Sequence, residues 1–226
     1  MLGFAGLLEL GVHGALNEPQ AEQVRRILSS GRHLQALVND VLDLARIEAG
    51  ATRVARQAID VGSLCMRVVE MAEPLAAERQ LTLTANASLA DGLEVWGDED
   101  RVRQILVNLV TNACKFTPPR GTVALRCSVS SRAPEGVASP WTGAWVGIEI
   151  ADTGVGIGAA MQERVFAPFV QAMGNGREAG GAGLGLAISR TLARLMQGEV
   201  TLRSTPGEGS VFALWLQAGA PLREAG

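Results

Sequence analysis

Apolar and polar residues follow two different rhythms along this chain, and the change comes near residue 50. Over residues 1–49 the period is helical. Phe4, Leu7, Leu8 and Val12 recur on one helical face. The stretch from Gly11 to Pro19 then carries turn chemistry, with Asn17 placed as an N-cap and Pro19 in the first helical turn. A long helix is predicted from there to about Ala49. Its apolar or small positions run Val24, Ile27, Gly31, Leu34, Val38, Val41 and Ala45, an alternating spacing of three and four that marks the seam of a coiled coil or bundle. Leu28, Leu37, Leu42 and Leu44 widen the stripe. A two-helix hairpin cannot bury so wide a stripe alone. Either it packs on the rest of its own chain, or two copies pair into a four-helix bundle; the strict repeat favours the pair.

Gly50 closes that helix, and residues 50–57 read as a linker. From 58 to 218 short β-type runs, helices and glycine clusters alternate. Helices are predicted over 61–79, with Pro74 as a kink, over 98–115 and over 183–196. Strands are predicted at 81–85, 93–96, 121–129, 144–151, 199–204 and 210–217, with an exposed hairpin loop at 131–143 and a tight turn at 205–209. Antiparallel strands with segregated helices make an α+β fold, a two-layer sandwich preceded by an antiparallel helical hairpin. Residues 219–226 read as a disordered tail.

Composition narrows the function. Of 226 residues, 47% are hydrophobic and 19% charged, so a packed core forms and disorder over most of the length is excluded. The net charge of −3 with scattered basic residues gives no nucleic-acid footprint. No apolar run reaches the roughly 18 residues of a membrane span, and Met1 to Leu10 lacks the basic start of a signal peptide. Cys65, Cys114 and Cys127 have no metal-type spacing and read as buried thiols of a reduced, cytoplasmic protein.

Four clusters carry candidate chemistry. On the helix at 98–115, Asn108 and Asn112 share a face, with Lys115 three residues on; amide oxygens can ligate Mg²⁺ and an ammonium can sit on phosphate oxygens. Two ordinary asparagines on a solvated face would look the same. Asp152-Thr153-Gly154-Val155-Gly156-Ile157 follows an apolar strand. A carboxylate there can accept a hydrogen bond from an exocyclic amine such as adenine N6, and the glycines let backbone pass close to a flat ring; a capped tight turn is the plain alternative. Gly180-Gly181-Ala182-Gly183-Leu184-Gly185-Leu186 runs into a helix and offers backbone N–H groups to phosphate. The glycine-rich stretch before it, from Met173, reads as a mobile lid. In the last hairpin, Gly207 to Phe212, the Ser210 hydroxyl is within reach of the Asp152 carboxylate. No GxxxxGK[ST] element is present, which excludes a P-loop.

In this order, the clusters resemble the ATPase domain of the histidine kinase, gyrase and mismatch-repair superfamily. Asn108 to Lys115 resembles its N box, Asp152 to Gly156 its first glycine box, Phe166-Ala167-Pro168-Phe169 its F box, Gly181 to Gly185 its second glycine box, and Gly207 to Phe212 its terminal glycine motif. Residues 1–49, above all Val38 to Gly50, resemble the dimerisation and phosphotransfer hairpin of sensor histidine kinases. The resemblance implies that Asp152 binds the adenine amine, that Phe116 and Ile157 line the base pocket, and that Asn108 and Asn112 hold Mg²⁺ and phosphates. It further implies that Lys115 contacts a phosphate and that Gly183, Leu184, Gly185 and Leu186 cradle the phosphates of ATP. It implies a homodimer through residues 1–49 and a response-regulator receiver domain as partner.

Hydrolytic members such as gyrase usually carry Glu where Asn108 stands. An amide cannot act as a general base, so the pattern points to phosphoryl transfer to a protein side chain. A hydrolytic ATPase of the same fold, or a binding module that pairs with intact kinases, are the rival readings. The family's His-Glu-x-x-x-Pro acceptor box is absent. His13 falls in the predicted turn and His33 beside seam residue Leu34, and neither is expected to accept phosphate. The chain is therefore expected to bind ATP without phosphorylating itself on histidine.

Overall fold

The computed structural model describes residues 2–12, 14–85, 92–134, 137, 141–171 and 183–219, apart from the side chain of His33. Helix α1 (Leu2–Glu9) and helix α2 (Glu18–Glu48) form the hairpin. Asn17 caps α2 as its sequence predicts. Its side chain accepts from the Gln20 N–H at 3.0 Å while Gln20 Oε1 accepts from the Asn17 N–H at 3.1 Å, a reciprocal capping box. At the other end Gly50 takes φ +64°, the left-handed conformation that stops a helix.

The hairpin buries little. Ala5, Val24 and Leu28 form its small core, flanked by Leu2 and Leu16. Seam residues Ile27, Leu34, Val38 and Val41 stay 49–60% exposed, and Phe4 is 77% exposed. Further along, Leu44 and Ile47 pack on the core of the second domain, and Gln104 Nε2 donates to Asp43 Oδ2 at 3.0 Å. The stripe thus divides: one part faces the second domain of its own chain and the greater part is left uncovered.

Residues 51–56 have no regular structure, and strand β1 (Gln57–Asp60) begins where the sequence suggests the linker is ending. Next come helix α3 (Val61–Glu78), strand β2 (Thr82–Ala85), strand β3 (Glu94–Gly97) and helix α4 (Glu99–Phe116). Helix α3 runs through Pro74 without ending. Strands β4 (Thr122–Ser130) and β5 (Trp145–Asp152) lead to a short helix α5 (Ala159–Gln162) and a 3-10 turn (Arg164–Phe166). Helix α6 (Gly185–Leu195) and strands β6 (Glu199–Thr205) and β7 (Gly209–Gln217) close the domain.

The main sheet has five strands in the order β2-β4-β5-β7-β6, and β1 pairs with β3 in a separate two-stranded ribbon. The expectation of an antiparallel sheet needs one correction: β2 runs parallel to β4. The connection between them passes through β3 and α4, and a crossover through a helix returns the chain in the same direction. Alternation along the strands sends Val123, Leu125 and Cys127, then Val146, Ile148 and Ile150, then Phe212, Leu214 and Leu216 to one face. There they meet Val102, Ile105, Leu106, Leu109 and Val110 of α4, with Leu184, Ile188 and Leu192 from the α6 side. This is the two-layer α+β sandwich the pattern predicts. The cysteines are buried and unbridged. Among the described residues no helix is long and apolar enough to cross a membrane.

Leu214 is fully buried in β7, midway through this core. Leu214→Ala is expected to lower the unfolding free energy by about 2–5 kcal/mol, read from urea denaturation.

Candidate functional site

Helix α4 carries the first group of candidate residues. Asp98 caps it, accepting from the Arg101 N–H at 3.3 Å, and its other oxygen accepts from the Ala55 N–H at 2.9 Å, which ties the linker to the helix start. With the apolar stripe held on the sheet, Asn108, Asn112 and Lys115 fall on the opposite, half-buried side. Asn112 Nδ2 donates to Asn108 Oδ1 at 3.3 Å, and Asn108 Nδ2 donates to Ser189 Oγ of α6 at 2.9 Å. Lys115 Nζ lies 5.0 Å from the ring centroid of Phe116, which is itself 37% exposed. Burial, then the nearby Arg79 guanidinium, push the Lys115 ammonium below its ordinary value.

The second glycine cluster meets this helix edge to edge. A Cβ on Gly185 would lie 2.4 Å from Asn108 Oδ1, so only glycine lets α6 begin there. Gly183 has φ +68°, and its carbonyl accepts from the Phe169 N–H at 3.0 Å. The first turn of α6 has no side-chain cap, which leaves its N–H groups for an anion. The Leu184 side chain is fully buried in the core, so a phosphate cradle at this turn would use its backbone. Leu186 is half-buried and packs against the same core. Gly181 and the proposed lid from Met173 lie outside the described residues, as does His13.

Asp152 ends β5. The Gly154 N–H donates to its Oδ1 at 2.8 Å, and the Ser210 backbone also hydrogen-bonds to the carboxylate. The turn after it is pinned on both sides. A Cβ on Gly154 would sit 2.6 Å from the Phe116 carbonyl, and one on Gly156 would sit 2.0 Å from the Thr205 carbonyl. The Ile157 N–H donates to Ser204 Oγ at 2.7 Å. The Ser210 hydroxyl does not reach Asp152 as the sequence suggested. It is buried and pairs at 2.9 Å with Ser204 Oγ, its cross-strand neighbour on β6. Ser204 was missed from sequence; a lone serine in a strand gives no signal, although it joins this loop to the terminal hairpin.

The folded chain thus brings Asn108, Asn112, Gly183 and Gly185 together around the junction of α4 and α6, with Lys115 about two turns further along α4 beside Phe116 and Arg79. Asp152, Gly154, Gly156 and Ile157 line the loop packed against the end of α4. Among the described residues no cluster of three or more His, Cys, Asp or Glu side chains is placed to hold a metal ion. A hard cation here fits only amide oxygens such as those of Asn108 and Asn112, together with ligand phosphates and water.

Residues 97–220 match the family described as histidine kinase-, DNA gyrase B-, and HSP90-like ATPase, and residues 1–50 match the His Kinase A (phospho-acceptor) domain. The chain belongs to the histidine kinase family. It is 34% identical over 219 residues to the circadian input-output histidine kinase CikA of Synechococcus elongatus, covering 96% of this chain and 27% of that protein. It is 34% identical over 215 residues to the autoinducer 2 sensor kinase/phosphatase LuxQ of Vibrio cholerae, covering 95% of this chain and 24% of LuxQ. Among solved structures, full-length ShkA in complex with AMPPNP superposes with TM-score 0.74 at 36% identity, over 99% of this chain and 44% of ShkA. The Acinetobacter baumannii histidine kinase AdeS shares the fold at TM-score 0.66 and 20% identity, over 97% of this chain and 94% of AdeS. The chain spans about a quarter of the length of the curated relatives it matches. Residues 97–220 are the ATPase domain of that family, and the geometry above belongs to it.

In this histidine kinase core, burial raises the Asp152 carboxyl above its ordinary 3.8, with the Gly154 and Ser210 N–H groups opposing. A raised native value adds stability that is complete below the ordinary value and is lost as pH rises through the raised one. An amine donating to the carboxylate acts the other way and favours the ionised form. ADP affinity is therefore expected to fall as pH drops through the raised Asp152 titration, with proton release on binding. Asp152→Asn should remove that pH limb in calorimetric titrations.

Proposed function

We propose that this chain supplies the nucleotide-binding and dimerisation machinery of a kinase that passes the ATP γ-phosphate to a protein histidine, for relay to a response-regulator aspartate. The observation that carries the reading is the side chain at position 108. It is an amide whose nitrogen is engaged by Ser189 and whose oxygen is hemmed in by Asn112 and Gly185. It cannot take a proton from water, which disfavours a hydrolytic ATPase. Transfer would then rest on positioning and charge neutralisation. Asp152 would accept from the adenine amine, with Phe116 and Ile157 beside the base. The first turn of α6 and Lys115 would hold phosphates. Asn108 and Asn112 would offer oxygens to Mg²⁺, which would neutralise phosphate charge when bound.

The uncovered seam at Ile27, Leu34, Val38 and Val41 supports a homodimer through residues 1–49. The same seam also suits pairing with the hairpin of another kinase, which keeps the reading of a modulating module as the second one. Neither His13 nor His33 stands in an acceptor box, so neither is proposed as the phosphate acceptor.

The test uses the purified chain with Mg²⁺ and γ-labelled ATP. Nucleotide binding is expected without acid-labile, base-stable label on the protein, together with slow phosphate release and loss of binding in Asp152→Ala. Label that disappears in His13→Gln or His33→Gln would sink the acceptor assignment. Rapid multiple-turnover release of phosphate would favour the hydrolytic reading instead.

A further inference from the structure

Arg190 sits in the middle of α6, away from the N-terminal turn proposed for phosphate, yet its guanidinium joins three separate segments. Nε donates to Glu199 Oε1 at 2.9 Å, and Nη1 donates to Glu163 Oε2 at 3.1 Å. The guanidinium carbon stands 4.5 Å from the ring centroid of Phe166. The Glu199 side chain is 6% exposed and accepts from Arg194 through its second oxygen at 2.9 Å, so one side of Arg190 is anchored to a fixed point at the start of β6. The other side grips the 3-10 turn Arg164–Phe166 and the residue before it.

Phe166 opens the loop Ala167-Pro168-Phe169-Val170, and the far end of that loop is tied to α6 again. The Phe169 N–H donates to the Gly183 carbonyl, and a Cβ on Gly183 would lie 2.7 Å from the Val170 carbonyl. Helix α6 therefore holds this loop twice, near its own N-terminus through backbone and about two turns on through Arg190. Phe166 also meets Phe212 edge to face at 6.4 Å, so the grip is continuous with the sheet core.

We infer that Arg190 is a positioning residue for nucleotide binding: it touches no part of the proposed ligand site, but fixes the Phe166–Val170 loop against the N-terminal turn of α6 where phosphate would lie. The inference rests on the ATP-site reading above. The shape of arginine is what the role demands. A planar fork donates to two carboxylates in different directions while its face covers a ring; a lysine ammonium is a point charge and cannot do all three. Arg194 provides the contrast. It bonds the same Glu199, from the same helix, but is not among the groups gripping Glu163 or Phe166.

The experiment titrates AMPPNP with Mg²⁺ into the full chain, the wild type beside Arg190→Lys, Arg194→Lys and Glu163→Ala, with thermal midpoints recorded for each. Arg190→Lys is expected to weaken AMPPNP binding about tenfold, within the usual size of couplings between separate sites. Arg194→Lys should lower the midpoint to a similar extent as Arg190→Lys, yet bind as wild type does. Glu163→Ala, at the exposed end of the grip, should weaken binding less than Arg190→Lys does, because an exposed ion pair contributes little. The inference is overturned if Arg190→Lys and Glu163→Ala bind AMPPNP like wild type, or if Arg194→Lys loses as much affinity as Arg190→Lys. Failure of the wild type itself to bind would overturn the ATP-site reading, which separates the two outcomes.

Discussion

The approach of α6 to α4 is the constraint on which the site depends. A Cβ on the first residue of α6 would overlap the Asn108 amide oxygen, so glycine there makes room for that side chain. The contact brings the positive end of α6 beside the Asn108 amide, which in turn accepts from Asn112. A positive helix end suits a polyphosphate.

The opposite wall is built on the same principle of backbone crowding. The loop after Asp152 is squeezed between the end of α4 and the last hairpin. Gly154 and Gly156 leave no room for side chains, and Ser204 stitches Ile157 to the hairpin. The consequence is a carboxylate held by two N–H groups while burial works against its charge. Such a group gains from one more donor, the role proposed for the adenine amine. Rigidity here is a precondition for discrimination, since a site built to hydrogen-bond one group penalises a ligand that lacks it.

Much of this was legible in the sequence, because glycine, asparagine and aspartate at fixed spacings advertise backbone geometry directly. The Asn17 cap, the Gly50 stop and the helical face of Asn108 and Asn112 are local, and local chemistry can be read without a fold. What escaped was non-local. The parallel pairing of β2 with β4 depends on a crossover, and β1 shows as a strand only once β3 is beside it. The Ser210 hydroxyl is taken by Ser204, a cross-strand neighbour that the motif around Ser210 does not reveal. Ser204, Arg190 and Glu199 make contacts across elements and have no signature of their own.

The hairpin shows why the strength of a contact matters as much as its presence. Asp43 reaches Gln104 by one hydrogen bond, and Leu44 and Ile47 supply the apolar part of the junction. A junction this small gives the catalytic domain an address on α2 without locking it there. For the proposed chemistry that is a requirement. In-line transfer needs the γ-phosphate about 3–3.5 Å from an acceptor nitrogen, and in the proposed reading that acceptor would lie on a helical hairpin rather than on the ATP domain. A broad, deeply buried interface would fix one separation for all time. A narrow one near the linker, beside the loop that Phe166 opens, would let the domain be repositioned while the exposed seam of α2 stays available for a partner helix.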